Sequence, residues 1–146
     1  MKRSIRILII AITFVWVGMV LGISFLEAPL KFQAPNITTE LGLGIGKLVF
    51  SALNKIEISF SILLLVFLWR GKFATKSMYL YAGIFCIILV QSIWLIPVLN
   101  QRVDVIISGQ EVNPSFHHIA YVILEVVKVV LLITAGVKFL KSTESK

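Results

Sequence analysis

The chain has 146 residues, 58% of them hydrophobic and only 14% charged, with a mean hydropathy of +0.98. That composition lies outside the range of a water-soluble domain and excludes the disulfide-rich, disordered and nucleic-acid-binding classes. The formal charge of +7 and the pI near 9.8 are then read as the basic loops of an integral membrane protein rather than as a surface for nucleic acid.

The first expected span, Ile7 to Leu26, follows a basic start (Lys2, Arg3, Arg6) and is uncharged for 20 residues, enough to cross a hydrocarbon core of about 30 Å. Its apolar run is longer than that of a signal peptide, and no small-residue cleavage site follows it, so it is kept as a helix. Gly18 and Gly22 in it form a GxxxG, which permits close helix contact within the chain or in a dimer. The stretch Glu27 to Gly46, with Pro29, Pro35 and the run GLGIG, predicts an extended crossing before a close helix start. Asn36-Ile37-Thr38 is a glycosylation sequon that carries meaning only in a eukaryotic secretory pathway.

The second span, Leu48 to Trp69, is interrupted by Asn54, Lys55 and Glu57. Lys55 lies off the main polar stripe, where its long chain can snorkel outward. After a basic loop (Arg70, Lys72, Lys76) the third span, Met78 to Leu99, is uncharged for 22 residues and holds the single cysteine, Cys86, expected as a small core residue. Trp69, Tyr79 and Tyr81 flank that loop at the depth of an aromatic belt. The fourth span, His117 to Val137, carries Glu125 and Lys128. Nine of the 14 basic residues fall in the N-terminus, the middle loop and the C-terminal tail (Lys138, Lys141, Lys146), which predicts cytoplasmic termini. Together these features predict one all-α domain over 1–146, an integral membrane four-helix up-down transmembrane bundle in a bacterial cytoplasmic (inner) membrane.

The charged spans share a pattern. Lys47, Phe50, Asn54, Glu57 and Ser61 stand at offsets 0, 3, 7, 10 and 14, and His118, Tyr121, Glu125, Lys128 and Leu132 repeat them. Each set falls on one helix face, an arc of about 80°. Both helices run in the same direction, so Glu57 and Lys128 lie at similar depth, about 15 Å from the outer helix ends, and Glu57 becomes a candidate partner for Lys128 beside Glu125. The preceding spans correspond more loosely, FLEAPL (Phe25 to Leu30) against WLIPVL (Trp94 to Leu99), so the chain reads as two hairpins in one orientation, a parallel repeat about an axis along the membrane normal.

An ionisable group at mid-span costs about 2.5 to 3.5 kcal/mol on insertion scales and therefore faces the bundle interior or water. Asn54, Glu57, Gln91, His118, Tyr121, Glu125 and Lys128 are the candidate ligand-binding residues, with Ser61 on the same face. They predict a polar cavity open to the non-cytoplasmic side, with His117, Glu27, Arg102 and Asp104 near its mouth. Three uses are open. The site binds or passes a small solute, ion or lipid, or belongs to an accessory subunit of a larger membrane complex; the charges merely fix helix register; or Glu57, Glu125 and Lys128 perform acid-base catalysis on an apolar substrate such as a quinone, sterol or isoprenoid. The lipid bilayer is the expected partner, and no nucleic acid is.

No cofactor is expected, and no metal site. His117 and His118 are adjacent and diverge on a helix, and a copper or zinc ion would need Glu27, Asp104 or Glu111 to complete its ligands. No phosphate loop, nucleophile elbow or metalloprotease motif is present.

The phrases VWVG (Val15 to Gly18), EAPLKF (Glu27 to Phe32), LGLGIGKLVFSALN (Leu41 to Asn54) and SFHHIAYVILE (Ser115 to Glu125) form an ordered pattern along most of the chain. In that order they resemble a bacterial family of small four-helix membrane proteins of unknown function that is similar to the eukaryotic transmembrane protein 205. The resemblance implies a four-helix integral membrane fold and carries over no catalytic residue. The charges in the second and fourth helices depart from the family's pattern.

Overall fold

The computed structural model describes residues 2–73 and 75–144. Lys146, one of the basic residues counted in the C-terminal tail, lies outside them. Helix α1 (Lys2–Val20) continues without a break through a π-helical stretch (Leu21–Glu27), the single turn α2 (Ala28–Leu30) and a 3-10 turn (Lys31–Gln33). Helix α3 (Thr39–Gly71) follows, then α4 (Thr75–Val90), which continues through a second π-helical stretch (Gln91–Leu95) into α5 (Ile96–Ile107), and finally α6 (His117–Glu144). Among the described residues these make four rods, Arg3–Gln33, Thr39–Gly71, Ser77–Ile107 and His117–Lys141, each long and apolar enough to cross a membrane, and no strand.

Pro29 and Pro97, one in each of the matched segments FLEAPL and WLIPVL, lie inside rods that run on. Proline has no N–H and its ring crowds the carbonyl four residues back. A wider turn relieves that clash. Ahead of Pro29, the Ala28 N–H bonds to the Ile23 carbonyl, and ahead of Pro97 the Ile96 N–H bonds to the Gln91 carbonyl, both five residues back. The predicted extended crossing from Glu27 to Gly46 is accordingly corrected: helical turns reach Gln33, and α3 begins at Thr39, capped by the Thr38 hydroxyl, which accepts the Leu41 N–H at 3.2 Å. The third rod likewise outlasts its expected end at Leu99 and reaches Ile107.

Adjacent rods run antiparallel. Phe14 and Ser24 of the first meet Gly136 and Glu125 of the fourth, while Phe50 and Glu57 of the second meet Tyr121 and Lys128 of the fourth in the same order. An apolar core including Trp16, Leu64, Leu68, Ile84, Leu132 and Phe139 fills the half nearer the termini. The outward faces are apolar as well, with Leu48 73% and Ile93 74% exposed, a surface suited to lipid.

The two hairpins share a register. Buried Thr13, Trp16 and Val20 precede buried Tyr81, Ile84 and Ile88 by 68 residues, and Asn54, Glu57 and Leu68 precede Glu125, Lys128 and Phe139 by 71. The contacts follow suit: the Ser24 hydroxyl bonds to Glu125, and Ser92, its counterpart, bonds to Asn54, the counterpart of Glu125.

Three expectations about faces are corrected. Of the two uses of Gly18 and Gly22, close contact within the chain is not made, since a Cβ on either would meet nothing within 4 Å among the described residues and that face of the first rod turns away from the others; this leaves the dimer alternative. Cys86 is exposed, since it lies about 160° around α4 from the buried Ile84 and Ile88. Trp69 and Tyr79 are exposed as a belt requires, but Tyr81 is buried and its hydroxyl is 2.7 Å from that of Thr13.

Candidate functional site

Two charged positions on α6, three residues apart, face the same interior as Glu57 of α3. Helical geometry sets Glu125 beneath Tyr121 and above Lys128, and the matched depth of the two rods brings Glu57 alongside. The Lys128 ammonium is fully buried and lies 2.6 Å from Glu57 Oε1, 2.6 Å from Glu125 Oε1 and 3.0 Å from Gln91 Oε1. It donates hydrogen bonds to Glu125 and Gln91 and forms an ion pair with Glu57. The Gln91 amide donates to Glu125 Oε1 at 2.8 Å, Ser24 donates to Glu125 Oε2 at 2.9 Å, and the Trp16 indole N–H donates to Glu57 Oε1 at 2.9 Å. All four rods therefore contribute. One atom is left over: buried Glu57 Oε2 has no hydrogen-bond partner among the described residues. With both carboxylates ionised the trio carries one surplus negative charge.

Above this network lies a cavity of about 500 Å³, within the usual size of a small-molecule site. Ser24 and Glu125 form its inner boundary, and Phe25, Phe50, Leu99, Tyr121 and Val122 supply apolar wall. Lys31, Lys47, Arg102 and His118 stand around its outer part. Two glycines of the GLGIG run explain how the wall closes. Gly42 and Gly46, four residues apart on one face of α3, admit the Phe32 ring and the Lys31 ammonium: a Cβ on Gly42 would overlap the ring, and one on Gly46 would lie 2.9 Å from Nζ. Phe50 and Tyr121, counterparts in the repeat, pack edge to face with centroids 5.6 Å apart.

The candidate residues divide into two layers. His118, Tyr121 and Glu125 line the cavity. Glu57, Gln91 and Lys128 form the network behind its floor, and Asn54 pairs with Ser92 at 2.9 Å rather than with the charged trio. Ser61 turns away too, donating to the Ile58 carbonyl of its own helix. At the mouth Arg102 lines the cavity and donates to the Asn113 carbonyl, Asp104 holds Lys47, and Glu27 faces Lys31. His117 leaves the site, stacking on Phe116 with centroids 4.4 Å apart. Lys55 is exposed, apart from the network. No group of three or more His, Cys, Asp or Glu side chains could hold a metal ion among the described residues.

Sequence reasoning passed over Trp16, Ser24, Lys31 and Phe32 as parts of the site. The two glycines at i and i+4 were the available signal for Lys31 and Phe32, since such spacing on one helix face admits a close neighbour. Comparison with family models, curated proteins and solved structures finds no match for this chain.

Proposed function

We propose that this is a multi-pass membrane protein of a bacterial cytoplasmic membrane, with both termini cytoplasmic, which binds a small apolar or amphipathic molecule in the cavity on the non-cytoplasmic side. The observation that carries the proposal is the cavity itself, about 500 Å³ of mostly apolar wall ending on Ser24 and the Glu125 carboxylate. Apolar wall with a few convergent polar groups is what a small-molecule site requires. The basic residues of the N-terminus, middle loop and tail support the sidedness, as the cavity lies at the opposite end of the rods. Kinship with the transmembrane protein 205-like family remains part of the proposal. Its motif phrases EAPLKF, LGLGIGKLVF and SFHHIAYVILE supply much of the cavity wall.

Glu57 and Lys128 have a second reading, favoured by the three side-chain oxygens that surround the buried ammonium: they hold the four rods in register and touch no ligand. In acid-base catalysis Glu125 is the member of the trio placed to reach a molecule in the cavity.

Mass spectrometry of the protein purified in mild detergent is expected to show a retained small molecule. Ala28→Trp, which fills the cavity from its wall, is expected to lose that molecule while keeping the helical circular dichroism of the parent. Equal retention by the variant, or none by the parent, would count against a binding cavity.

A further inference from the structure

We infer that the cavity selects a molecule with an anionic head on a short apolar body, and that Lys31 recognises the head. This rests on the cavity being a binding site and adds the chemistry of its occupant. The charged groups around the cavity are not equally committed. Lys47 is held by both oxygens of Asp104, at 2.5 and 2.7 Å. Glu125 already receives Ser24, Gln91 and Lys128. Arg102 gives one of its five N–H donors to the Asn113 carbonyl and adds positive charge at the outer part of the cavity. Lys31 differs, because its side chain is only 9% exposed and its acidic neighbour, Glu27, stands 3.4 Å away, near the limit of a hydrogen bond.

Two aromatic rings and bare backbone also adjoin Lys31. Its ammonium lies 5.7 Å from the centre of the Phe32 ring and 5.4 Å from that of Phe50, against the bare backbone of Gly46. Ring faces attract a cation but accept none of its hydrogen bonds in full. A buried ammonium so weakly paired gains most from an anion that supplies short, charge-assisted acceptors. A cationic amphiphile would instead meet Lys31, Lys47 and Arg102, and the one carboxylate on the floor is already occupied. Apolar wall at Phe25, Leu99 and Val122 suits the body of the molecule. Carboxylate and phosphate heads share this chemistry, whether they belong to a free amphiphile or to an anionic lipid of the bilayer.

The test measures equilibrium binding of decanoate, decyl phosphate, decanol and decyltrimethylammonium to the full chain in phosphatidylcholine nanodiscs. Decanoate and decyl phosphate are expected to bind about tenfold or more tighter than decanol, the size of one charged hydrogen-bonding contact. Lys31→Gln should erase that ratio by weakening the anions alone, Lys31→Arg should keep most of it, and Lys55→Gln, outside the cavity, should leave it unchanged. Decanol binding reports whether Lys31→Gln is folded. Should it not fold, the parent's preference for the anions over decanol and decyltrimethylammonium decides. A parent that binds decanol or the ammonium as well as decanoate overturns the inference, as does a ratio that survives Lys31→Gln. If no probe binds, the cavity reading itself falls and takes the inference with it. Competition with decanoate on exchanging the discs to phosphatidylglycerol identifies the bilayer lipid as the source of the head. Undiminished decanoate binding there identifies a free amphiphile.

Discussion

Replacing Lys128 by methionine keeps the side chain out to Cε and removes the ammonium that two carboxylates and an amide share. Two hydrogen bonds, at 2.6 and 3.0 Å, and the ion pair with Glu57 at 2.6 Å are lost together. At about 0.6 kcal/mol for an average polar contact between membrane helices, the three together would amount to about 2 kcal/mol. Breaking a buried ion pair from one side costs more, about 3 to 5 kcal/mol, because the partner carboxylates stay buried without their cation. Lys128→Met should therefore destabilise by about 2 to 5 kcal/mol. Glu57→Gln acts at the other end of the same pair with a different result. The amide oxygen can keep both Trp16 and Lys128, and the amide nitrogen takes the place of Oε2, which has no partner to lose among the described residues. With both carboxylates ionised the surplus negative charge also disappears, so Glu57→Gln should lie within about 1 kcal/mol of the parent. Reversible unfolding in mixed micelles, titrating the fraction of dodecyl sulfate and following helicity and tryptophan emission, measures both. Equal losses in the two variants, or a Lys128→Met loss under about 1 kcal/mol, would refute a network that is buried and closed around Lys128.

Glycine substitutions and membrane sidedness give further checks. Gly42→Ala should displace the Phe32 ring from the cavity wall and cost about 1 to 3 kcal/mol of overpacking, with weaker ligand retention. Gly44→Ala, whose Cβ would be 3.8 Å from Ile107, should be neutral or stabilising by up to about 1 kcal/mol, and equal effects of the two in thermal unfolding would contradict the packing. In a Cys86→Ala background of intact cells, a cysteine at Glu111 should react with a membrane-impermeant maleimide and one at Arg70 should not; the reverse pattern would invert the proposed orientation.

The pairing of Glu57 with Lys128 could be anticipated because helical rise turns residue number into depth, and offset turns it into direction. Two apolar rods with the same offsets must present their charges at one level, and in a low-dielectric interior opposite charges at one level find each other. The prolines were misleading for a related reason. In water a helix can end at Pro29 or Pro97 with solvent taking the freed carbonyls, whereas within apolar surroundings each backbone group needs a protein partner, and a π-type turn provides one while the rod continues. Cys86 and Tyr81 were misplaced because α4 is apolar nearly all round, so periodicity could not say which side faces the bundle.

Composition and the distribution of apolar runs were sufficient by themselves for an all-helical chain with four membrane-length rods, since these depend only on length, hydropathy and the 3.6-residue period. The equal depth of the buried charges followed from the same period. Only the packed structure decided which polar groups line a cavity and which lie behind it, that Lys31 and Phe32 fill the space opposite Gly46 and Gly42, and that Glu57 keeps one oxygen without a partner among the described residues. Those features arise where side chains from different rods approach within a few ångströms, and no single helix carries that information.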